Sequence, residues 1–233
     1  MISMPPNILS TRYADDPDIV EIGIDEVGRG PLFGRVYVAG VILPKQGDGE
    51  FDHSMVKDSK KFTSHTRLEA AYDHVIAHCI DHETCYEDED TIDSINILQA
   101  TQKAMHACAQ ALIDRNNLDP AKTMLLIDGN YFKPHTRFDK ETGKWVCYDH
   151  VCIKGGDNLY TCIAAASIVA KVERDKYIAD LCGDNPDLDE KYSLASNKGY
   201  GAKKHLDGIR THGITKWHRK TFGICKGFAP LNI

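Results

Sequence analysis

The apolar positions of this chain fall into runs of two different periods. Ile19-Val20-Glu21-Ile22-Gly23-Ile24 alternates and then stops at a turn signal, which reads as a strand. Arg35 to Leu43, carrying Val36, Val38, Val41, Ile42 and Leu43, reads as a second strand, with Pro31-Leu32-Phe33-Gly34 as the hairpin between them. Helical spacing predicts a helix from about Ser64 to Ile80. Another begins near Thr91, where Ile95, Leu98, Met105, Cys108 and Leu112 recur until Asn117 and Pro120 end it. Thr123 to Ile127 is a short apolar run of the kind a central parallel strand needs. A strand is expected between Trp145 and Ile153, then an Ala- and Ile-rich helix from about Leu159 to Leu181, a loop and a basic helical tail. Tyr131 to Tyr148, with Lys133, His135, Arg137 and Lys144, is expected to form a hairpin. The organisation is α/β.

Composition narrows the class. With 42% hydrophobic and 27% charged residues, the 233-residue chain reads as one ordinary globular domain over 1–233. Its longest apolar runs, Val36 to Leu43 and Ile163 to Ala170, are about eight residues, against the roughly 18 that a bilayer span requires. No secretory signal is evident in Met1-Ile2-Ser3-Met4-Pro5-Pro6. The eight cysteines, without any Cys-x-x-Cys pair, are expected to be reduced thiols of a cytoplasmic protein, and the eleven histidines show no metal-ligand spacing.

Net charge is −6, but it is unevenly spread. Residues 1–190 carry 19 Lys+Arg against 33 Asp+Glu, whereas 191–233 carry 9 against 1. A basic terminal segment on an acidic body is the footprint expected of phosphate-backbone contact. The densest acidic stretch, Asp81 to Asp93, is expected to be a solvent-facing loop kept away from substrate.

Candidate chemistry begins at Asp25-Glu26-Val27-Gly28-Arg29-Gly30. Two acids at a strand's end offer hard oxygens to a divalent cation. Gly28 and Gly30 lack a Cβ, so backbone there can approach a ligand closely. Successive strand side chains point to opposite faces, so Asp25 and Glu26 can both ligate only if the backbone leaves strand geometry, which Gly28 makes feasible. Asp25 is the firmer ligand. Asp128 ends its own strand before Gly129-Asn130, and Asp157 follows Lys154-Gly155-Gly156 at a strand–helix junction, where it could instead be a helix cap. If the strands of Asp25 and Asp128 are neighbours, Asp25, Glu26, Asp128 and Asp157 converge. Four crowded carboxylates repel unless divalent cations neutralise them, which is the logic of two-metal phosphodiester cleavage.

Gly23-Ile24-Asp25-Glu26-Val27-Gly28-Arg29-Gly30-Pro31-Leu32 resembles the signature of bacterial ribonuclease HII. Asp58-Ser59-Lys60-Lys61, Leu126 to Asn130, Lys154 to Asp157, Ile163 to Ser167, Ala170 to Asp175 and Lys198-Gly199-Tyr200 resemble that family's motifs in the family's order, over about residues 20 to 226. The resemblance implies a ribonuclease-H-like mixed sheet flanked by helices, with a basic helical C-terminal region at about 191–233. It implies endonucleolytic hydrolysis of RNA in RNA–DNA hybrids and incision of duplex DNA at a single embedded ribonucleotide, with two Mg²⁺ or Mn²⁺ ions. The four acids match the family's catalytic carboxylates.

Substrate contacts are expected from Gly28, Arg29 and Gly30, beside the metals, and from Tyr200, whose ring can stack on a sugar or base. Lys60 and Lys61 are expected to meet phosphate. Asp175, about five turns along a helix from Asp157, reads with Arg174 and Lys171 as polar helix-face structure. The protein is expected to act as a monomer, off the membrane. The alternatives are a related metal-dependent nuclease or strand transferase of the same fold, and a silent hybrid-binding module. Gly-Arg-Gly and Lys-Gly-Tyr tilt against the former, and the repulsive acid cluster against the latter.

Overall fold

The computed structural model describes residues 9–45, 51–140 and 142–228. Six strands form one mixed sheet: β1 (Val20–Val27), β2 (Val36–Ile42), β3 (Asp81–Glu87), β4 (Thr123–Asp128), β5 (His135–Asp139) and β6 (Lys144–Ile153), in the order β3-β2-β1-β4-β6-β5. Parallel pairing of β4 with both β1 and β6 sets the sheet's centre. The antiparallel pairs β1–β2, β2–β3 and β5–β6 extend it to either edge. Because Ile24 is paired with Ile127, the next residues, Asp25 and Asp128, arrive side by side at the same rim.

Seven helices complete the described fold: α1 (His65–His78), α2 (Glu89–Ile95), α3 (Ile97–Arg115), α4 (Thr161–Asp184), α5 (Pro186–Tyr192), α6 (Leu194–Asn197) and α7 (Lys203–His212). On one face, Ile22, Ile24, Leu125 and Ile127 pack against Met105, Cys108 and Leu112 of α3. On the other, Ala39 and Val41 meet Leu68 and Val75 of α1 and Ala165 to Ala170 of α4. The approach of α4 is close enough to dictate sequence. A Cβ at Gly23 would lie 2.3 Å from the Cys162 carbonyl carbon, so the central strand must be bare where the helix begins. Beyond the sheet, α5–α7 and the chain end close a third cluster around Phe33, Ile178, Tyr192 and Ile209.

Several expectations need correction. Asp81 to Asp93 is not a loop: it is the edge strand β3 followed by α2. Glu89 within it is buried. The helix foreseen from Thr91 is broken at Asn96, which adopts φ 67° and caps α3 by accepting from the N–H groups of Leu98 and Gln99. Residues 28–35 form a long loop rather than a tight hairpin. Tyr131 to Tyr148 does contain a hairpin, β5 with the start of β6. The cysteines are all free thiols, and among the described residues no helix is long and apolar enough to cross a membrane.

Candidate active site

Alternation along β1 sends Gly23 and Asp25 toward α4 and Ile24 and Glu26 toward α3. The ladder continues unbroken through Asp25↔Ala39, Glu26↔Val38 and Val27↔Tyr37, so the backbone does not leave strand geometry at the two acids. Asp25 is buried, and its Oδ1 accepts from the Glu26 N–H at 2.7 Å. Asp128 has the parity of Leu126, which packs on Cys162 and Ile163 of α4, so it shares Asp25's face. Its Oδ1 accepts from the Gly156 N–H at 2.7 Å. Gly155 supplies the left-handed turn (φ 68°) that brings this N–H round, and Asp157 follows in the short 3₁₀ turn Gly156–Asn158. Asp157 is not a cap of α4, since that helix starts at Thr161 with Tyr160 as its N-cap.

The sheet therefore gathers Asp25, Asp128 and Asp157 on one side of the rim, with Glu26 on the strand's other face. All three aspartates are partly or wholly withdrawn from water. Burial, then the neighbouring Glu26 and Asp128 charges, push the Asp25 carboxyl well above the usual carboxylate range. Burial raises Asp128 as well, with Asp157 adding to it and the Gly156 N–H and Lys60 opposing. Glu26 is raised by burial and held back by Arg29, whose Nη1 donates to Oε1 at 3.1 Å.

Lys60 is the protein's own counterion here. It sits in the 3₁₀ turn Ser59–Lys61, with Nζ 3.5 Å from Asp157 Oδ2. Lys61 is exposed in the same turn, without a contact to the acids among the described residues. Sequence reading overlooked Asp58, which is buried, caps that turn through the Lys60 N–H at 2.9 Å, and shares the Asn158 amide with Asp157 (3.2 and 3.0 Å). It also overlooked Ser167, which supports Asp25 and bonds Ser59 at 3.0 Å. Both lie inside the family-like motifs, the only signal that could have found them.

The residues expected to meet substrate lie beside these acids. Gly30 has an unstrained backbone, and a Cβ there would meet only the Tyr200 ring, 3.7 Å away. Tyr200 is 47% exposed. The two motifs are stitched together by Leu32 N–H donating to Gly199 O at 2.8 Å. Gly199 must be bare, since at φ 86° its Cβ would stand 2.7 Å from Phe33 O.

Most Lys and Arg of the basic tail are exposed as expected, but part of the tail turns inward. His205, His218 and Arg219 are fully buried, and Lys220 pairs with Asp90 at 2.9 Å. Asp175 pairs with Lys171 on α4 as polar helix-face structure, while Arg174 beside it is buried.

The profile of the family described as Ribonuclease HII matches residues 22–225. The chain belongs to the ribonuclease HII family. The ribonuclease HII of Cytophaga hutchinsonii is 39% identical over 203 residues, covering 87% of this chain and 89% of that protein. Among solved structures, ribonuclease H2 from Pyrococcus horikoshii is similar with a TM-score of 0.64 at 20% identity, over 90% of this chain and 96% of that one. Bst-RNase HIII in complex with Mn²⁺ is similar with a TM-score of 0.59 at 15% identity, over 83% and 70%. At these identities the two structures speak for the ribonuclease H fold alone. With the family comes hydrolytic, endonucleolytic ribonuclease H activity on RNA-containing nucleic acid, dependent on a divalent metal.

The carboxylates of this site suit such a metal. Their oxygens are hard donors, and their mutual repulsion asks for positive charge. Among the described residues no three His, Cys, Asp or Glu side chains already stand at ligating separation. Each acid is engaged with a protein donor that fixes its orientation.

Proposed function

We propose that this protein hydrolyses the RNA strand of RNA–DNA hybrids and incises duplex DNA at a single embedded ribonucleotide, leaving a 3′-hydroxyl and a 5′-phosphate. The observation that supports this most is a juxtaposition. Buried Asp25 and Asp157, half-buried Asp128 and Glu26 meet at one rim, and the chain runs from them directly into a bare Gly-Arg-Gly backbone under an exposed tyrosine ring.

Asp25, Asp128 and Asp157 are the residues that would hold two ions, Mg²⁺ or Mn²⁺, with Glu26 joining from the strand's other face at the edge of the site. When bound, these supply charge neutralisation and activate a water as nucleophile. That the similar Bst-RNase HIII structure is a complex with Mn²⁺ supports a divalent metal here. Asp25, fixed by the Glu26 N–H and Ser167, and Asp128, fixed by the Gly156 N–H, keep their free oxygens directed at a constant place. Lys60 and Lys61 bind phosphate beside Asp157. Gly28, Arg29 and Gly30 read the ribose 2′-hydroxyl, which can donate and accept. Tyr200 stacks on the nucleotide at the scissile step.

The test is cleavage of a DNA duplex with one embedded ribonucleotide, with Mg²⁺, with Mn²⁺ and with chelator. Incision 5′ of the ribonucleotide with either ion, and none with chelator, is expected. No incision under any divalent ion would overturn the reading.

A further inference from the structure

Two arginines, distant in sequence and both fully or almost fully buried, reach the same loop. Arg219 donates through Nε to Gly34 O (2.9 Å), through Nη1 to Arg29 O (3.1 Å) and Pro31 O (2.9 Å), and through Nη2 to Gly28 O (2.6 Å). Arg174 donates to Arg35 O (3.1 Å), Phe33 O (3.1 Å) and Lys198 O (2.9 Å). The Arg219 N–H takes Leu32 O at 2.8 Å. Nearly every carbonyl between Gly28 and Arg35 is thus drawn to the inner side.

A trans peptide unit is planar, with its C=O and the following N–H pointing opposite ways. No cis bond occurs among the described residues. Turning the Gly28 and Arg29 carbonyls inward therefore turns the Arg29 and Gly30 N–H groups outward. Neither has a partner among the described residues. The clamp also accounts for Gly28: at φ 88°, a Cβ there would lie 2.3 Å from Arg174 Nε. Gly30 meets no such obstacle.

Both guanidiniums are satisfied by carbonyls, and no carboxylate forms an ion pair with either among the described residues. Burial, with Arg174 adding to it, lowers Arg219 to about 9, which leaves it charged near neutrality. Positive charge behind the loop and N–H groups in front of it favour an acceptor oxygen arriving from outside.

We propose that Arg219, assisted by Arg174, is a specificity-determining positioning residue: by gathering the loop carbonyls it aims the Arg29 and Gly30 N–H groups at the substrate's phosphate and ribose oxygens. Arg219 touches no substrate itself. The inference rests on the reading that residues 28–30 meet the ribonucleotide.

The decisive variant is Arg219→Lys, which keeps the charge and loses the fork that reaches four carbonyls. Cleavage of a duplex with one ribonucleotide is measured well below the variant's melting temperature, alongside binding of the same duplex in all-DNA form. A fall in kcat of about 100-fold is expected, the size typical of misplacement by about 1 Å. All-DNA binding should stay within about twofold, and Arg174→Lys should show a smaller fall. A merely structural role would lower the melting temperature and leave kcat and the ribonucleotide preference of the folded protein intact, which would overturn the proposal.

A second measurement does not depend on variants folding. Backbone amide resonances of Arg29 and Gly30 in the parent protein are followed as the ribonucleotide duplex is added without divalent metal. Selective shifts at both are expected, and no perturbation at either would overturn the proposal. If the parent fails to cut the single-ribonucleotide duplex at all, the functional reading has failed instead.

Discussion

Two adjoining regions of this protein bury charge in opposite ways. At the sheet rim, Asp25 and Asp157 are buried near Asp128, and Lys60 is the one lysine in ion-pair contact with them among the described residues. Behind the loop, Arg174 and Arg219 are buried near each other with no ion-paired carboxylate, yet carbonyls occupy their donors. Removing a charge from water costs several kcal/mol unless geometry and hydrogen bonds compensate. The arginine side is compensated by backbone dipoles of the same chain. On the acidic side the Glu26 and Gly156 N–H groups offset only part of the cost, and burial pushes the carboxyls upward as it pushes Arg219 downward. One region is a finished scaffold, while the other is complete only with cations that the chain does not supply.

The largest expected effect removes an acid from the unfinished side. Asp25→Asn should lower turnover at least about 100-fold, the scale set by losing one preorganised charge-stabilising group, with either Mg²⁺ or Mn²⁺. The fold should persist, and in metal-free buffer the melting temperature should be equal or higher because a repulsive charge has gone. Near-parent turnover would show that Asp25 is not needed.

Next comes a pair of glycines two positions apart. Gly28→Ala forces a Cβ onto Arg174 Nε at φ 88°, and should cost about 1–3 kcal/mol of stability, the usual scale of such strain. Gly30→Ala finds only the Tyr200 ring at 3.7 Å, so it should melt like the parent while cutting poorly. Equal melting temperatures for both would break the distinction between scaffold side and substrate side.

Proton linkage sharpens the comparison further. The Asp25 and Asp128 carboxyls are raised above the unfolded value near 3.9. Their contribution to stability is therefore present below about pH 4 and is lost as pH rises through the folded values. A divalent ion prefers the deprotonated forms, so Mg²⁺ should raise the melting temperature more at pH 8 than at pH 5. At about 100 times its dissociation constant the ion contributes roughly 2.7 kcal/mol. An equal shift at the two pH values would mean the ion binds elsewhere.

The smallest effect concerns the basic tail. Replacing Lys203, Lys204 and Lys216 with Gln should flatten the salt dependence of hybrid binding, by about 0.7–0.9 in log–log slope for each phosphate no longer neutralised. Lys220→Gln should leave the slope alone, because its Nζ is already held by Asp90. A slope that responds to Lys220 but not to the other three would reverse that assignment.

What the sequence disclosed and what it hid divide along the same line. Asp25 and Asp128 were legible because each ends an apolar run, Asp157 because it follows a Gly-Gly turn, and strand parity alone separates Asp25 from Glu26. The clamp was not. Arg174 and Arg219 look like any polar helix or tail residue, and the loop carbonyls that justify their burial lie 139 to 191 positions away. The tail's charge total misled for that reason, counting Arg219 and Lys220 as available to substrate. β3 was misread because Asp81, Glu83 and Glu87 gave it the composition of a loop. On an edge strand such acids can reach outward to Arg115, which binds Asp81 and Glu83 at 2.8 Å. Asn96 could break its helix at φ 67° because asparagine tolerates left-handed backbone, which hydrophobic spacing does not register.

The 191-residue separation between Gly28 and Arg219 also has a temporal meaning. At about 5–20 residues per second, roughly 10–40 s of synthesis divide the loop from its clamp. A nascent chain carries Asp25, Asp128 and Asp157 long before Arg219 emerges to orient the amides beside them. The Gly28–Arg35 loop therefore cannot take up its clamped conformation until Arg219 has been made, so the loop is set later than the sheet that carries Asp25 and Asp128.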